Sequence, residues 1–160
     1  MQNDPISLKK IQHDLIIIIT LLNKTYFKTS NSLELSQDSK FIQNKLLETM
    51  QILLKLFSVI SEKHPQSNII DHLSTDFKND FKMCGVVDFQ NRNTSKPIQI
   101  TQLKKTISNI AIRLDRSAIH CKFCPELGIR PYVPFIAKAL CIIFELQHYL
   151  QDKSKIHVQI

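Results

Sequence analysis

The residues best suited to chemistry are concentrated between Asn109 and Tyr132. This stretch carries two of the four cysteines, Cys121 and Cys124, next to His120, and it carries three of the four arginines. Thiolates and imidazoles are ligands that zinc prefers, while arginine binds phosphate groups and histidine transfers protons near neutral pH. The stretch therefore suggests two kinds of site, a metal centre and a phosphate contact.

The metal hypothesis rests on the Cys-x2-Cys pair of Cys121 and Cys124, which can direct two thiolates at one zinc ion. A structural zinc site needs four ligands. The candidates for the other two, none at a diagnostic spacing, are His120, Cys84, His64, His72 and His148. Two reduced, partly buried thiols are the simpler interpretation, and Cys141, within an apolar run, is predicted to be a core residue. We therefore expect no cofactor and keep a structural zinc as an alternative.

The phosphate hypothesis rests on a polar line along one predicted helix. At 100° per residue, Asn109, Arg113, Arg116 and His120 project away from the apolar face of this helix. Side chains in such a line can contact the phosphate groups of RNA. A solvated helix face, with Asp115 pairing with an arginine, is the simpler interpretation.

Arg113 followed by six residues and His120 also resembles the Arg-x4–6-His pattern of the HEPN family of helical-bundle ribonucleases. The resemblance covers these two residues and an all-α architecture, and it departs at Leu114, where that family commonly has a polar residue. It implies RNA as the substrate, with Arg113 and His120 as the candidate catalytic residues. An RNA-binding or HEPN-like ribonuclease domain is therefore the first alternative function.

Apolar side chains crowd the connection that follows this helix. The predicted partner surface consists of Phe123, Leu127, Ile129, Tyr132 and Phe135, with Val133 beside them and with Ile112 and Ile119 lying off the main apolar stripe of the preceding helix. This is more apolar surface than one contact between two helices needs. The leading expectation is a non-enzymatic interaction module, such as an adaptor, a chaperone-like protein, a regulatory protein or an effector, whose partner is another protein.

Composition sets limits on the fold and the compartment. The 160 residues suit one domain, and two glycines are too few for a fold rich in turns or strands. The net charge of +7 is compatible with nucleic acid or an acidic partner without identifying either. The longest apolar run, LIIIITLL, is too short to cross a membrane, and the first ten residues do not resemble a cleavable signal peptide. We expect no transmembrane segment and a reducing, cytosol-like compartment, with the oligomeric state left open.

Apolar spacing of three and four residues predicts a single all-α domain over residues 1–160, an antiparallel, up-and-down-like bundle of about five helices. The first, second, fourth and fifth helices are expected to form the core, and the segment around 84–97 is an irregular insertion. Residues 153–160 are predicted as a flexible tail or a short strand. The predicted helices are Pro5–Phe27, Ser36 or Asp38 to Lys63, Ser67 or Asn68 to Met83, Ile100 or Thr101 to His120, and Tyr132–Asp152. On the last of these, the residues predicted to face inward are Ile136, Leu140, Ile143, Phe144 and Leu150.

Overall fold

The computed structural model describes residues 8–30, 37–63, 98–124 and 129–159, with side chains described for 8–29, 37–63, 98–124 and 132–152. Of the described residues, 95% are helical. The four helices are α1 Leu8–Ser30, α2 Ser39–Lys63, α3 Ile100–Phe123 and α4 Ile129–Gln159.

The all-α fold is confirmed, with four helices in the described ranges where the sequence predicts about five. The predicted helix Ser67–Met83 and the predicted insertion at 84–97 both fall within residues 64–97, outside the described residues. Both therefore stay predictions.

Helix α1 is buried around most of its circumference, as its run of isoleucines predicts. Ile16, Ile18 and Ile19 are fully buried. Its buried threonines avoid an unpaired hydroxyl by bonding within the helix: Thr20 Oγ1 donates to the Ile16 carbonyl at 2.8 Å, and Thr29 Oγ1 donates to the Thr25 carbonyl at 2.7 Å. Helix α1 can therefore bury these threonines without a hydrogen-bond partner on a neighbouring helix.

Two contacts show that α1 and α2 are antiparallel. Near the end of α1, the Tyr26 carbonyl accepts a hydrogen bond from Gln43 Nε2 at 3.0 Å, near the start of α2. Near the start of α1, Gln12 Nε2 donates to Ser61 Oγ at 3.4 Å, near the end of α2.

Helix α3 is also antiparallel to α1, and it packs on a different side of α1 from α2. The Ile98 amide, just before α3, donates to the Lys28 carbonyl at 3.4 Å. At the other end of α3, His120 lies beside Asp14.

Helix α4 runs alongside both α2 and α3. Lys45 of α2 pairs with Glu145 at 3.2 Å, and the Tyr149 hydroxyl donates to Asp38 Oδ1. On the other side, Gln147 Nε2 donates to Ser108 Oγ of α3 at 3.1 Å. The α4 residues of these pairs lie in its second half. Their partners lie in the first half of α2 or α3 or, for Asp38, just before α2.

The four helices form a ring in which each neighbour is antiparallel. Helix α1 packs on α2 and α3, and α4 packs on the same two helices from the opposite side. Helices α2 and α3 lie diagonally and run in the same direction, and Lys63 and Ile98 lie at opposite ends of the bundle. Neighbouring helices in the ring are thus antiparallel, and the four helices run up, down, down and up in chain order.

Two helix limits differ from the prediction. The sequence places Cys121 in a connection, but α3 continues through it to Phe123. Helix α4 begins at Ile129 and ends at Gln159, so the backbone of 153–159 is helical and does not form the alternative short strand. The flexible tail stays a prediction. A Cys-x2-Cys pair is typical of a turn, but positions i and i+3 also share one side of a helix.

The core lies inside the ring and draws on all four helices, as the sequence predicts for these segments. Its fully buried members include Leu15 of α1, Leu53 of α2, Leu114 of α3 and Ile143 of α4. Burial of such side chains is the dominant stabilising contribution in a bundle of this kind.

Candidate functional site

The large apolar side chains left exposed are all on α3 and α4, within the part of the chain whose side chains are described. Their exposed fractions are 56% for Ile112, 48% for Ile119, 63% for Phe123 and 51% for Phe144. Single exposed apolar residues are ordinary, but a contiguous group is typical of an interaction surface.

Helical spacing aligns these residues. Ile112, Ile119 and Phe123 are seven and four residues apart, which places them on one side of α3. On α4, exposed Ala137 and Cys141 are four residues apart, and Phe144 follows after three more. We define the α3–α4 strip as this surface, formed by Ile112, Ile119 and Phe123 of α3 with Ala137, Cys141 and Phe144 of α4.

The two halves of the strip meet at an open groove of about 390 Å³. Ile112 and Phe144 line it from opposite helices, together with Asp115. The hydrogen bond between Gln147 and Ser108 lies in its wall, and a smaller cavity of about 80 Å³ continues the groove towards the end of α4. The strip is therefore concave at this point and has polar groups in the wall of its groove.

Helix α4 also stands out by composition. Tyr132–Asp152 is long and apolar enough to cross a membrane by length and mean hydropathy, 1.3, and 33% of it is buried. Within the described ranges, one helix meets this criterion of length and hydropathy. A core helix of a bundle can meet it as well. In this fold the stretch packs on two helices and carries the Glu145 ion pair, so part of its apolar character is used in the core.

The residues predicted as a polar line on α3 divide between two environments. Asn109 and Arg116 are exposed, as predicted. Arg113 and His120 are not on the outer face: Arg113 is half-buried, and the His120 side chain is 15% exposed and faces α1. This part of the prediction was wrong because the two residues lie on the flank of the helix, where α1 packs, and not opposite its core face.

His120 lies against an acidic residue in this α1–α3 contact. Its Nδ1 is 3.4 Å from Asp14 Oδ2, which is close enough for an ion pair when the imidazole is protonated, but the geometry is not that of a hydrogen bond. Arg113 Nε is buried and has no hydrogen-bond partner within the described ranges. The arrangement holds Arg113 and His120 within the helix contact, so their proposed role as an open phosphate site stays a prediction that this geometry does not favour.

Buried polar atoms without hydrogen-bond partners are concentrated on the α3 side of this contact. Within the described ranges, three of them, Arg113 Nε, Ser117 Oγ and His120 Nδ1, belong to α3. The fourth is Gln12 Oε1 of α1, whose Nε2 bonds to Ser61 of α2. A buried unpaired polar atom costs on the order of 1–3 kcal/mol. This polar contact is therefore a weak part of the bundle.

Cys121 and Cys124 of the predicted zinc site are free and buried at the end of α3. Burial, with smaller effects of Cys124 and Asp14, raises the pKa of the Cys121 thiol to about 12. This environment opposes the thiolate that zinc would require. Within the ranges described, no three His, Cys, Asp or Glu side chains are grouped to hold a metal ion. Cys84 lies outside those ranges, so the four-ligand hypothesis stays untested.

The predicted partner surface is placed only in part on the outside. Phe123 is exposed, Phe135 is half-buried against the core and Tyr132 is buried. The side chains of Leu127 and Ile129 lie outside the described residues. Tyr132 is therefore a core residue and not a partner contact, because it faces α2, where Lys63 lies over its ring at 5.8 Å.

Two residues of the strip were missed from the sequence. Phe144 was expected to point inward and Cys141 to lie in the core, but both are exposed. Their four- and three-residue spacing from Ala137 is the signal that groups them on one face. That signal does not say which face of an apolar helix is inside.

Comparison of the chain with protein-family models, with curated proteins and with solved structures finds no significant match. The functional argument accordingly rests on the chain's own residues, of which the α3–α4 strip forms the most extensive exposed apolar group in the described ranges.

Proposed function

We propose that this protein is a non-enzymatic helical interaction module that binds a partner protein along the α3–α4 strip. The observation that carries the proposal is that Ile112, Ile119, Phe123 and Phe144, the exposed large apolar residues of the described ranges, lie on one pair of neighbouring helices. Covering the exposed half of each side chain gains on the order of 1 kcal/mol. The four together can therefore make a substantial contribution to binding.

The placement of the polar residues supports binding over catalysis. His120 lies in the α1–α3 contact beside Asp14, Arg113 is half-buried with its Nε enclosed, and Cys121 is held as a neutral thiol by burial. An adaptor, chaperone-like, regulatory or effector role needs only a surface of this kind. Free Cys121, Cys124 and Cys141 support the proposal that the protein works in a reducing, cytosol-like compartment.

Site-specific photo-crosslinking tests the proposal because it captures whichever molecule contacts the strip. Phe144 or Ile112 is replaced by p-benzoylphenylalanine, and irradiated adducts from cells producing the protein are identified by mass spectrometry. Discrete protein adducts are expected at both positions. The control position is Ser58, which is exposed on α2, away from the strip.

A second substitution shows that the adduct depends on the strip. With the cross-linker at Phe144, Ile119→Asp is expected to remove the protein adduct, whereas Ser58→Asp, which adds the same charge elsewhere, is expected to preserve it. Circular dichroism verifies that both variants fold. Adducts to lipid or nucleic acid, or equal protein adducts from Ser58, would overturn the proposal.

A further inference from the structure

The groove of the strip has an alternating charge pattern along α3. Lys104 lines the smaller cavity at one end, Asp115 lines the larger groove in the middle, and exposed Lys122 follows towards the other end. The spacings are eleven and seven residues, about three and two turns of a helix, so the three residues lie on the same side of α3. This side is the one that faces α4, because Lys104 and Asp115 line the groove with α4 residues.

Neighbouring charges reinforce the positive ends of this pattern. Lys105 is exposed on α3 next to Lys104, whereas Arg116 is exposed next to Asp115 on a more outward side of the helix. On α4, Glu145 is directed to Lys45 of α2, and Asp152 lies 3.6 Å from His148, so these carboxylates already have partners. Asp115 is consequently the acidic side chain offered by the groove itself.

Asp115 also argues against a lipid bilayer as the occupant. A carboxylate moved into hydrocarbon without a partner loses its hydration, which is strongly unfavourable. The groove is concave, and Ser108 and Gln147 in its wall have hydrogen-bonding capacity beyond the bond between them, which a flat apolar phase would not satisfy. A protein partner can instead supply a side chain that pairs with Asp115.

We propose that the partner presents an amphipathic helix with a cationic residue opposite Asp115 and acidic residues opposite Lys104 and Lys122. The inference rests on the proposed function and specifies the partner's chemistry. A helix laid along the groove has the same rise per residue as α3, so residues seven and eleven positions from its cationic residue share the contacting face. Its apolar residues cover Ile112, Ile119 and Phe144.

Three synthetic helices test the charge pattern. Each has the same leucine stripe; the matched probe has a central lysine with glutamates seven and eleven positions away on both sides, which makes it independent of orientation. The reversed probe exchanges lysine and glutamate, and the neutral probe has glutamine at all these positions. Fluorescence anisotropy is expected to show the matched probe binding about tenfold tighter than the neutral one, with the reversed probe weakest.

A charge exchange assigns the central contact to Asp115. Asp115→Lys is expected to weaken binding of the matched probe by about fivefold and to favour a probe whose central lysine is replaced by glutamate. Glu48→Lys is the control, because it makes the same charge change at an exposed position of α2. Equal affinities of the Asp115→Lys and Glu48→Lys variants for the matched probe would show that the position of the charge does not matter and would overturn the assignment.

The failure of this inference is distinguishable from failure of the proposed function. Equal affinity for the matched, neutral and reversed probes, or binding to anionic phosphatidylserine vesicles in place of the matched probe, overturns the inference. The proposed function is decided separately by the class of molecule cross-linked at Phe144. Protein adducts there, with no charge preference among the probes, would retain the interaction module and reject the acidic helix as its partner.

Discussion

Replacing Ser117 with alanine is expected to stabilise the fold, because the serine hydroxyl is buried without a hydrogen bond. The residue is 1% exposed, and its Oγ has no partner in the described part of the chain. Ser117 lies on α3 between Arg113 and His120. The buried Arg113 Nε and His120 Nδ1 also have no hydrogen-bond partner in the described part of the chain. Alanine keeps the helix and removes one of these unpaired atoms.

The expected gain in the free energy of unfolding is about 1.5 kcal/mol. Removing an unpaired buried hydroxyl gains on the order of 1–2 kcal/mol, and alanine is favoured over serine in a helix by about 0.5 kcal/mol. Loss of the oxygen's packing contacts offsets about 0.5 kcal/mol of this. For a chain of this size, the net change corresponds to a rise of about 5 °C in the melting temperature.

Differential scanning calorimetry at neutral pH measures this rise. Ser58→Ala is the matched control, since Ser58 is an exposed helical serine in α2 and reports only the difference in helix propensity, about 0.5 kcal/mol. A melting temperature of Ser117→Ala that is equal to or below that of Ser58→Ala would refute the argument that the Ser117 hydroxyl is unpaired.

Burial also determines the outcome of three other experiments. Leu114→Ala, at a fully buried position, is expected to cost about 3 kcal/mol in urea unfolding, whereas Ile112→Ala costs less than about 1 kcal/mol; equal losses would contradict the assigned faces of α3. Iodoacetamide at pH 8 is expected to modify exposed Cys141 in the folded protein, while Cys121 reacts only after unfolding, and early modification of Cys121 by mass spectrometry would contradict its burial. Because the pKa of Cys121 is raised from 9.0 to about 12, the folded protein retains a proton that the unfolded chain releases, so the free energy of unfolding should fall as the pH rises from 9 to 12. If Cys121→Ala leaves the slope of the free energy of unfolding against pH unchanged, that result would contradict this source of the pH dependence.

The helices themselves were predictable where local signals agreed. Helix α2 begins at Ser39, beside the proposed start at Asp38, whose carbonyl accepts the Ile42 amide at 3.0 Å, and it ends at Lys63, before His64 and Pro65. An apolar stripe between a capping residue and a proline defines such a helix without tertiary information. The buried residues of α2 accordingly include all those that the three- and four-residue spacing places on one stripe: Ile42, Leu46, Met50, Leu53, Phe57 and Ile60.

The orientation of Arg113 and His120 was not predictable from one helix. A helical projection identifies the face opposite an apolar stripe, but a helix in a ring of four has neighbours on two flanks. Arg113 and His120 lie on the flank that meets α1, where Asp14 is the neighbour. Asp14 is more than a hundred residues away in sequence from His120, so only the tertiary arrangement reveals this environment.

The exposure of the strip residues on α4 was not predictable from the sequence for a different reason. Phe144 and Cys141 are flanked by buried Ile142 and Ile143, and the helix is apolar on several sides. Periodicity distinguishes faces only when polar residues mark the outer one. The choice between inward and outward faces depends on where α2 and α3 contact α4, which the sequence pattern does not contain.

The ring of helices also has a consequence for how the chain reaches its folded state. Helices α1 and α2 form one helical hairpin, and α3 and α4 form another, each made of consecutive and extensively contacting helices. Local contacts of this kind form early, while the hairpins meet through α2–α4 and through the polar α1–α3 contact. The α3–α4 strip belongs wholly to the second hairpin, so its apolar side chains can be brought together before the two hairpins dock. Hydrogen exchange should accordingly show the hairpins as two cooperative units, with the partner surface contained in one of them.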